Sequence, residues 1–339
     1  MTSPTLALTR AQILAFRRHV GALDERLPAG RASLRLAAWA GLQDSMPRAA
    51  LLSIHARVEG TEPSTWEDPS LVQIWGPRGS VFVVTKRDVA VFTLGRLRDD
   101  PARLRRAEDM AARLREHLAG RTMSYWEAGR ALGVPPNSLR YAAATGTVLI
   151  RWEGARRPVV WTVPRPRVDP RAARLELARR HLHVFGPATP AAFAGWSGLK
   201  PPRAHEAFDA LRGSLVPVQT PIGEAWILAS DEDAFRAAKA VAPARLLPSG
   251  DAFFLLQGHD RELLVPDAKR RASLWTSRVW PGAVLVGGEV VGTWRRAHAA
   301  LTVQPWTRLS RASKSAVESE AASLPLPGVG GRIVVRWDD

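Results

Sequence analysis

The order of helix, turn, helix and hairpin between residues 124 and 163 constrains this chain more than any other feature of it. Residues 125–132 (YWEAGRAL) predict a short helix, with Ser124 as its N-cap and Glu127 three positions on, the spacing of a capping box. Gly133, Val134, Pro135 and Pro136 break that helix, and residues 137–145 (NSLRYAAAT) predict a second one. Gly146 ends it. Residues 147–152 and 158–163 (PVVWTV) predict two strands joined by a turn at 153–156. Helix, tight turn, helix and two-stranded hairpin is the arrangement of a winged helix-turn-helix.

The same order returns in the next 70 residues or so, which indicates a tandem array. Residues 174–185 predict a helix and 190–196 a second one with Thr189 as N-cap. A turn at 197–202 and a helix at 203–211 follow, then strands at 214–219 and 224–228 around Pro221, Ile222 and Gly223. The N-terminal segment reads as a third, more diverged copy. Thr9 caps a helix with Ile13, Phe16 and Val20 on its apolar face; helices are predicted over 32–42 and 48–58, and strands over 71–75 and 80–84. After about Arg245 the texture becomes β-rich, with strands predicted at 253–256, 283–286, 289–294, 300–306 and 332–337 and a helix at 310–322. Gly287 and Gly288 are a two-residue hairpin signal. The fold class expected is therefore α+β, three tandem winged helices plus a β-rich C-terminal part. The expected boundaries are 1–100, 101–168, 169–235 and 236–339; no long linker separates the units, so they are expected to pack as one body.

Composition narrows the function. The 339 residues carry 48 Lys+Arg against 32 Asp+Glu, a formal charge of +16, and only Lys86, Lys200, Lys239, Lys269 and Lys314 are lysine. An arginine-dominated balance suits phosphate, which the guanidinium grips with a two-pronged fork, although a GC-rich coding bias enriches arginine too. With no cysteine there is no disulfide, thiolate metal site or cysteine nucleophile. The first twelve residues show no charged-then-apolar leader and no apolar run approaches a membrane span, so a cytoplasmic protein is expected.

Several winged helices on one chain can surround a single duplex as a monomer, which suits a protein inspecting a lesion better than one reading a palindrome. Arg130, Arg140, Arg156 and Arg157 fall on one predicted helix-turn-helix and its wing, and Arg203 and Arg212 on the next. Each is either a phosphate contact or a solvated surface charge.

The chain resembles the winged-helix DNA glycosylases of the AlkZ and YcaQ type, bacterial enzymes that unhook bulky or crosslinking N-alkylpurine lesions. The fragments that carry the resemblance are Gly41, Leu42 and Gln43; residues 49–52 with 57–60 (RVEG); and Trp75 followed by Arg78, Gly79 and Ser80. Further along stand 185–189 (FGPAT), Trp196, 246–248 with Asp251, and 290–295 (VVGTWR). The family fold, three tandem winged helices with a β-rich C-terminal part, agrees with the pattern read above.

The resemblance implies a site. Family members carry Gln-x-Gln or Gln-x-Asp in the matching loop, polar side chains that hold the attacking water and steady positive charge at the sugar C1′. Gln43 carries over. The second position falls on Ser45, and an acid stands one place earlier, at Asp44. Either a small backbone shift brings Asp44 to the water, or the site is built differently and weakened. Relatives often have a histidine two residues after the Ser80 position, where this chain has Phe82. Read from the residues alone, Gln43, Asp44 and Ser45 also make a plain helix end and turn cap. Arg78 is a candidate phosphate or lesion contact and Trp75 a candidate stacking platform, otherwise a hairpin charge and a core ring.

Other constellations carry less. His181 and His183 lie two apart on a helix and point to different faces, so no metal is expected. His55 is expected to be packed. No HExxH, phosphate-loop or GxGxxG motif occurs, and no lysine has the context of a Schiff base. The hairpin at Gly287 and Gly288 and the wing at Gly154 are the candidates for insertion into a groove. The expectation is a cofactor-independent, monofunctional glycosylase that acts as a monomer on duplex DNA with an alkylated purine. Its rival is a non-catalytic winged-helix regulator or lesion binder.

Overall fold

The computed structural model describes residues 6–338 apart from 47, 98–99, 154–156, 238–242, 327 and 330–332. Within them the chain is a mixed α+β structure with three sheets of three strands and one of five. Local chemistry places most elements where the pattern puts them. Thr9 and Gln12 form a reciprocal capping box at the start of Arg10–Val20, Ser124 accepts from the Glu127 N–H to open Tyr125–Ala131, and Thr189 accepts from the Ala192 N–H to open Pro190–Ser197.

Each small sheet joins one two-residue strand to a hairpin. Leu42–Gln43 pairs antiparallel with Val81–Thr85, which pairs with Leu71–Trp75. Met123–Ser124 pairs with Val159–Thr162, which pairs with Val148–Arg151. Leu6–Ala7 runs parallel to Leu215–Thr220, which pairs with Gly223–Leu228. The N-terminal helix follows that strand: Ile13 and Phe16 bury against Val218, Ile227 and Phe235, so its apolar face is covered by that hairpin and the helix Glu232–Ala237. The five-stranded sheet runs Arg245–Leu247, Gly282–Val286, Glu289–Ala297, Ala300–Pro305 and Val334–Trp337, with Arg311–Ala322 packed on it.

The helix Pro170–Phe185 ties these parts together. Its Leu177, Ala178 and Leu182 share one apolar cluster with Phe82, Phe92, Phe193, Phe254 and Leu285. Its Arg180 meets Asp88 at 2.8 Å, with both side chains buried. Arg174 donates to the carbonyls of Gly95 and Leu97.

Four expectations change. The helix over 32–42 stops at Ala37, because Gly41 turns at φ +75°, where a Cβ would lie 2.9 Å from the Phe92 ring, and Leu42 leaves as a strand. Residues 253–256 are no strand: Asp251 caps a 3-10 turn, Ala252–Phe254. Phe253, Phe254, Leu255 and Leu256 are all buried, so the run shows no alternation that separates strand from turn. The second helix of the 124–163 motif is a 3-10 helix, Pro136–Thr145. The turn at Gly287 and Gly288 forms with both residues at positive φ, as a two-residue hairpin requires, but it is not free to enter a groove. Arg18 donates to the Gly288 carbonyl and Arg10 pairs with Glu289 at 2.6 Å, which pins the turn to the N-terminal helix. The other groove candidate, the wing at Gly154, lies outside the described residues, as does Arg156.

Candidate active site

Gln43 ends its short strand opposite Phe82, and its half-buried side chain lies between two fixed neighbours. Arg78 Nη2 donates to Gln43 Oε1 at 3.1 Å. On the other side stands Gly250, whose φ is +77° and whose lack of a side chain permits the close approach: a Cβ there would lie 3.0 Å from Gln43 Nε2. Arg78 is itself held in the left-handed region, φ 57°, by a turn backed by Gly198, and donates to the Trp196 carbonyl at 3.2 Å. The amide of Gln43 is thus oriented before any ligand arrives.

Asp44 keeps the strand register, its N–H donating to the Val81 carbonyl at 2.8 Å. Successive side chains of extended backbone face opposite ways, so Asp44 takes the side opposite Gln43, and Ser45 stands in the bend that follows. The ladder thus holds the acid away from Gln43. Its carboxylate is 2% exposed, accepts from the Ala50 N–H at the start of the helix Ala49–His55, and accepts from Gln73 Nε2. Gln73 is oriented in turn by the Trp152 N–H, which donates to its Oε1 at 2.6 Å. Burial pushes the Asp44 carboxyl up to about 6, against the pull of those donors and of Arg48. A second tie holds the same loop: the Arg48 guanidinium stacks on Trp66 at 3.7 Å and Arg151 on the same ring at 4.5 Å. The Gln43 loop is therefore fastened to the hairpin that starts at Val148.

This arrangement gives a testable pH dependence. Asp44 titrates near 4 when unfolded and near 6 when folded, so between those values the folded state holds the extra proton and stability falls as pH rises. About two units amount to roughly 3 kcal/mol. The stability advantage of the wild-type chain over Asp44→Asn is expected to shrink by about that much between pH 4 and pH 7, then stay level, as read from paired denaturant melts. A pH-independent difference between the two proteins would contradict it.

Beneath the loop lies a buried ion pair. Arg57 forks Asp251 with two 2.7 Å bonds, Ser53 Oγ donates to the same carboxylate at 2.7 Å, and the Phe253 N–H donates at 2.9 Å. This clamp sets the position of Gly250, and hence of Gln43.

The other candidates fall in different places. Trp75 is 7% exposed in a cluster with Leu114 and Leu139, leaving no ring face for a base. Phe82 is fully buried against Gly41 and Gly76. Arg140 is exposed and lies over Gly79, beside Arg78, with the exposed Tyr141 next to it. Arg157 is exposed on the far hairpin; Arg203 pairs with Glu206 and Arg212 with Asp209 on their own helix. His181 is buried among Phe185, Phe193 and Trp196, and burial lowers it to about 3. His183 points away to Asp231, and His55 is packed against Arg26 and lowered to about 4. Sequence reasoning missed Gly250, Arg57 and Asp251 as supports of Gln43; Arg57 was signalled only as a member of the fragment 57–60 and Asp251 only alongside 246–248, and Gly250 carried no signal.

The model of the family described as "DNA glycosylase AlkZ-like" matches residues 36–325, a span that holds the Gln43 loop, Arg78 and the Arg57–Asp251 clamp. The chain belongs to the AlkZ-like DNA glycosylase family. An interstrand DNA cross-link repair glycosylase of Streptomyces sahachiroi is 29% identical over 175 residues, which cover 50% of this chain and 46% of the relative, so the chain spans about half of that relative's length. The solved structure of the Streptomyces sahachiroi DNA glycosylase AlkZ superposes with a TM-score of 0.80, covering 98% of this chain and 100% of that one at 19% identity, a likeness of fold. Among the described residues of this AlkZ-like chain, no helix is long and apolar enough to cross a membrane.

Proposed function

We propose that this chain is a monofunctional DNA glycosylase that hydrolyses the N-glycosidic bond of bulky N-alkylpurine adducts or crosslinks in duplex DNA. The observation that carries this reading is the amide of Gln43, held between Arg78 and Gly250 at the edge of its sheet. An N7- or N3-alkylated purine is already cationic. When its C1′–N bond breaks, the electron pair neutralises the base, and no acid is needed to expel it. What remains is to place a water at C1′ and steady the positive charge there, work for a pre-oriented dipole. In this reading Gln43 Oε1, whose other lone pair is open, accepts a hydrogen bond from the water. Ser45 Oγ, two residues on in the same loop, is its second partner, and the proton lost on addition passes to solvent. Asp44 is a positioning residue: it caps the helix behind the loop and fixes Gln73.

The three small sheets with their helices are read as winged helices, bounded near residues 101–168 and 169–235 and, in the motif-bearing unit, within 1–100, with the first strand and helix lent to the 169–235 unit. Residues 236–339 form the β-rich part. Arg140, Arg157 and Arg203 are proposed as direct backbone contacts and Arg78, whose Nη groups are held by Trp196 and Gln43, as nearby positive charge, while the buried Trp75 is not a contact. The exposed tip with Arg295, Arg296 and His298 is a freer groove probe than Gly288. The chain would act as a monomer in the cytoplasm, in alkylation repair or self-resistance to a genotoxin, without metal or cofactor.

The deciding assay is single-turnover incubation with duplexes carrying a bulky or a methyl N7-alkylguanine, with free base read by mass spectrometry. Release of base supports the reading. Ser45 and Phe82, which stand where relatives carry an amide or acid and a histidine, favour the rival of a non-catalytic lesion binder; tight, salt-sensitive binding without release would establish it. Within the proposal, Gly250→Ala is expected to lower kcat about tenfold while the chain stays folded, because its Cβ displaces Gln43 by a few tenths of an ångström. Unaltered kcat would separate Gln43 from the chemistry.

A further inference from the structure

The cations around Gln43 come from distant parts of the chain, and among the described residues no acid pairs with them. Arg78 stands in the turn after Trp75. Arg96 lies behind it, donating to the carbonyls of Ser197, Trp75 and Phe92. Arg261 arrives from the C-terminal part. The segment bearing it packs on the same helix end as Arg78: a Cβ on Gly195 would lie 3.5 Å from Gln257, and one on Gly198 would lie 3.3 Å from the Arg78 nitrogen. Among the described residues none of these three arginines is in an ion pair. Each charge is instead disfavoured. Burial lowers Arg78, and the charge of Arg261 lowers it further; burial and the charge of Arg78 lower Arg96 to about 10.

Arg96 is spent on carbonyls, and Arg78 uses both Nη groups on Trp196 and Gln43. Arg261 differs. Its Nε donates to the Leu256 carbonyl at 3.0 Å, its guanidinium lies over Trp275 at 5.0 Å and Trp280 at 5.4 Å, and its two Nη groups are left for a ligand. A guanidinium placed over two indoles and hydrogen-bonded through its Nε has its Nη fork available for bidentate binding of a phosphate. We propose that Arg261, together with the charge of Arg78 behind it, grips one DNA phosphodiester beside the sugar that Gln43 addresses. The site thereby takes part of its substrate grip from the β-rich C-terminal part, and phosphate in it couples through Arg78 to the Gln43 amide. This rests on the glycosylase reading for its ligand.

Binding alone tests it, by fluorescence anisotropy of the full chain with an undamaged and an abasic-site duplex between about 50 and 300 mM salt, a range over which counterion release is resolved. Arg261→Gln is expected to lower the slope of log affinity against log salt by about 1 and to weaken binding about five- to tenfold on both duplexes. Arg261→Lys is expected to keep the slope but lose part of the affinity, since an ammonium cannot fork, and it controls for the loss of packing on the two indoles. An unchanged slope in Arg261→Gln, or an equal loss from Arg115→Gln on the exposed face of Pro101–Leu118, would overturn the proposal. So would an Arg261-dependent affinity for inorganic phosphate, measured by calorimetry, without any change in the DNA slope, since the ligand would then be free phosphate. An Arg261-dependent slope in a chain that releases no base upholds this inference and sinks the catalytic one. Base release with an unaltered slope does the reverse.

Discussion

Asp251→Ala is expected to destabilise the chain by about 3–5 kcal/mol, the largest loss from any single substitution considered above. The carboxylate is fully buried and accepts four hydrogen bonds, two of them from Arg57, whose side chain is 4% exposed. Removing it leaves a guanidinium with no counter-charge and no water, which is worse than never having built the pair. The double variant Arg57→Met with Asp251→Leu is therefore expected to recover most of the stability lost by Asp251→Ala. It is not expected to recover base release, because Gly250, next to Asp251, fixes the place of Gln43. Denaturant melts and single-turnover rates on the same three proteins check both halves. A double variant as unstable as the single one would show that the pair contributes more than mutual neutralisation.

Gln43→Ala is expected to lower kcat by about 10²–10³-fold while duplex binding changes less than about threefold, the scale of losing one pre-oriented polar group at a developing charge. Both Arg78 and Gly250 survive the substitution, so the loss isolates the amide. Gln43→Glu is the informative companion. A carboxylate there would draw Arg78 into a full ion pair, and the rate is expected to be restored in part, since a carboxylate also orients water and faces positive charge at C1′. Equal rates for all three proteins would move the catalytic role to Ser45 or remove it from this loop.

Asp44 shows how far a motif can be read without the fold. The sequence places an acid beside Gln43 and a serine where relatives carry an amide or carboxylate, and from spacing alone the acid is an attractive substitute. The sheet decides otherwise. Because Asp44 continues the ladder to Val81, its side chain must leave on the opposite side from Gln43, and there it meets Gln73 and the start of the helix Ala49–His55. Trp75 and Phe82 illustrate the same limit. An aromatic in a strand is a stacking platform or a core ring according to which side of the sheet is covered, and covering elements come from elsewhere in the chain.

By itself the sequence determined the caps at Thr9, Ser124 and Thr189, the Gly287–Gly288 turn, the hairpin strands and the family, because capping boxes, positive-φ glycines and strand alternation are settled by residues two to four apart. The tertiary structure alone decided that the N-terminal strand and helix pack on the hairpin of Leu215–Thr220 and Gly223–Leu228, and that the Gly288 turn is held by Arg18. It also decided that Arg57 reaches Asp251 across 194 positions, and that Arg261 comes to stand near Arg78. Those outcomes turn on which buried charges and apolar faces find partners when distant segments pack, and no local pattern carries that information.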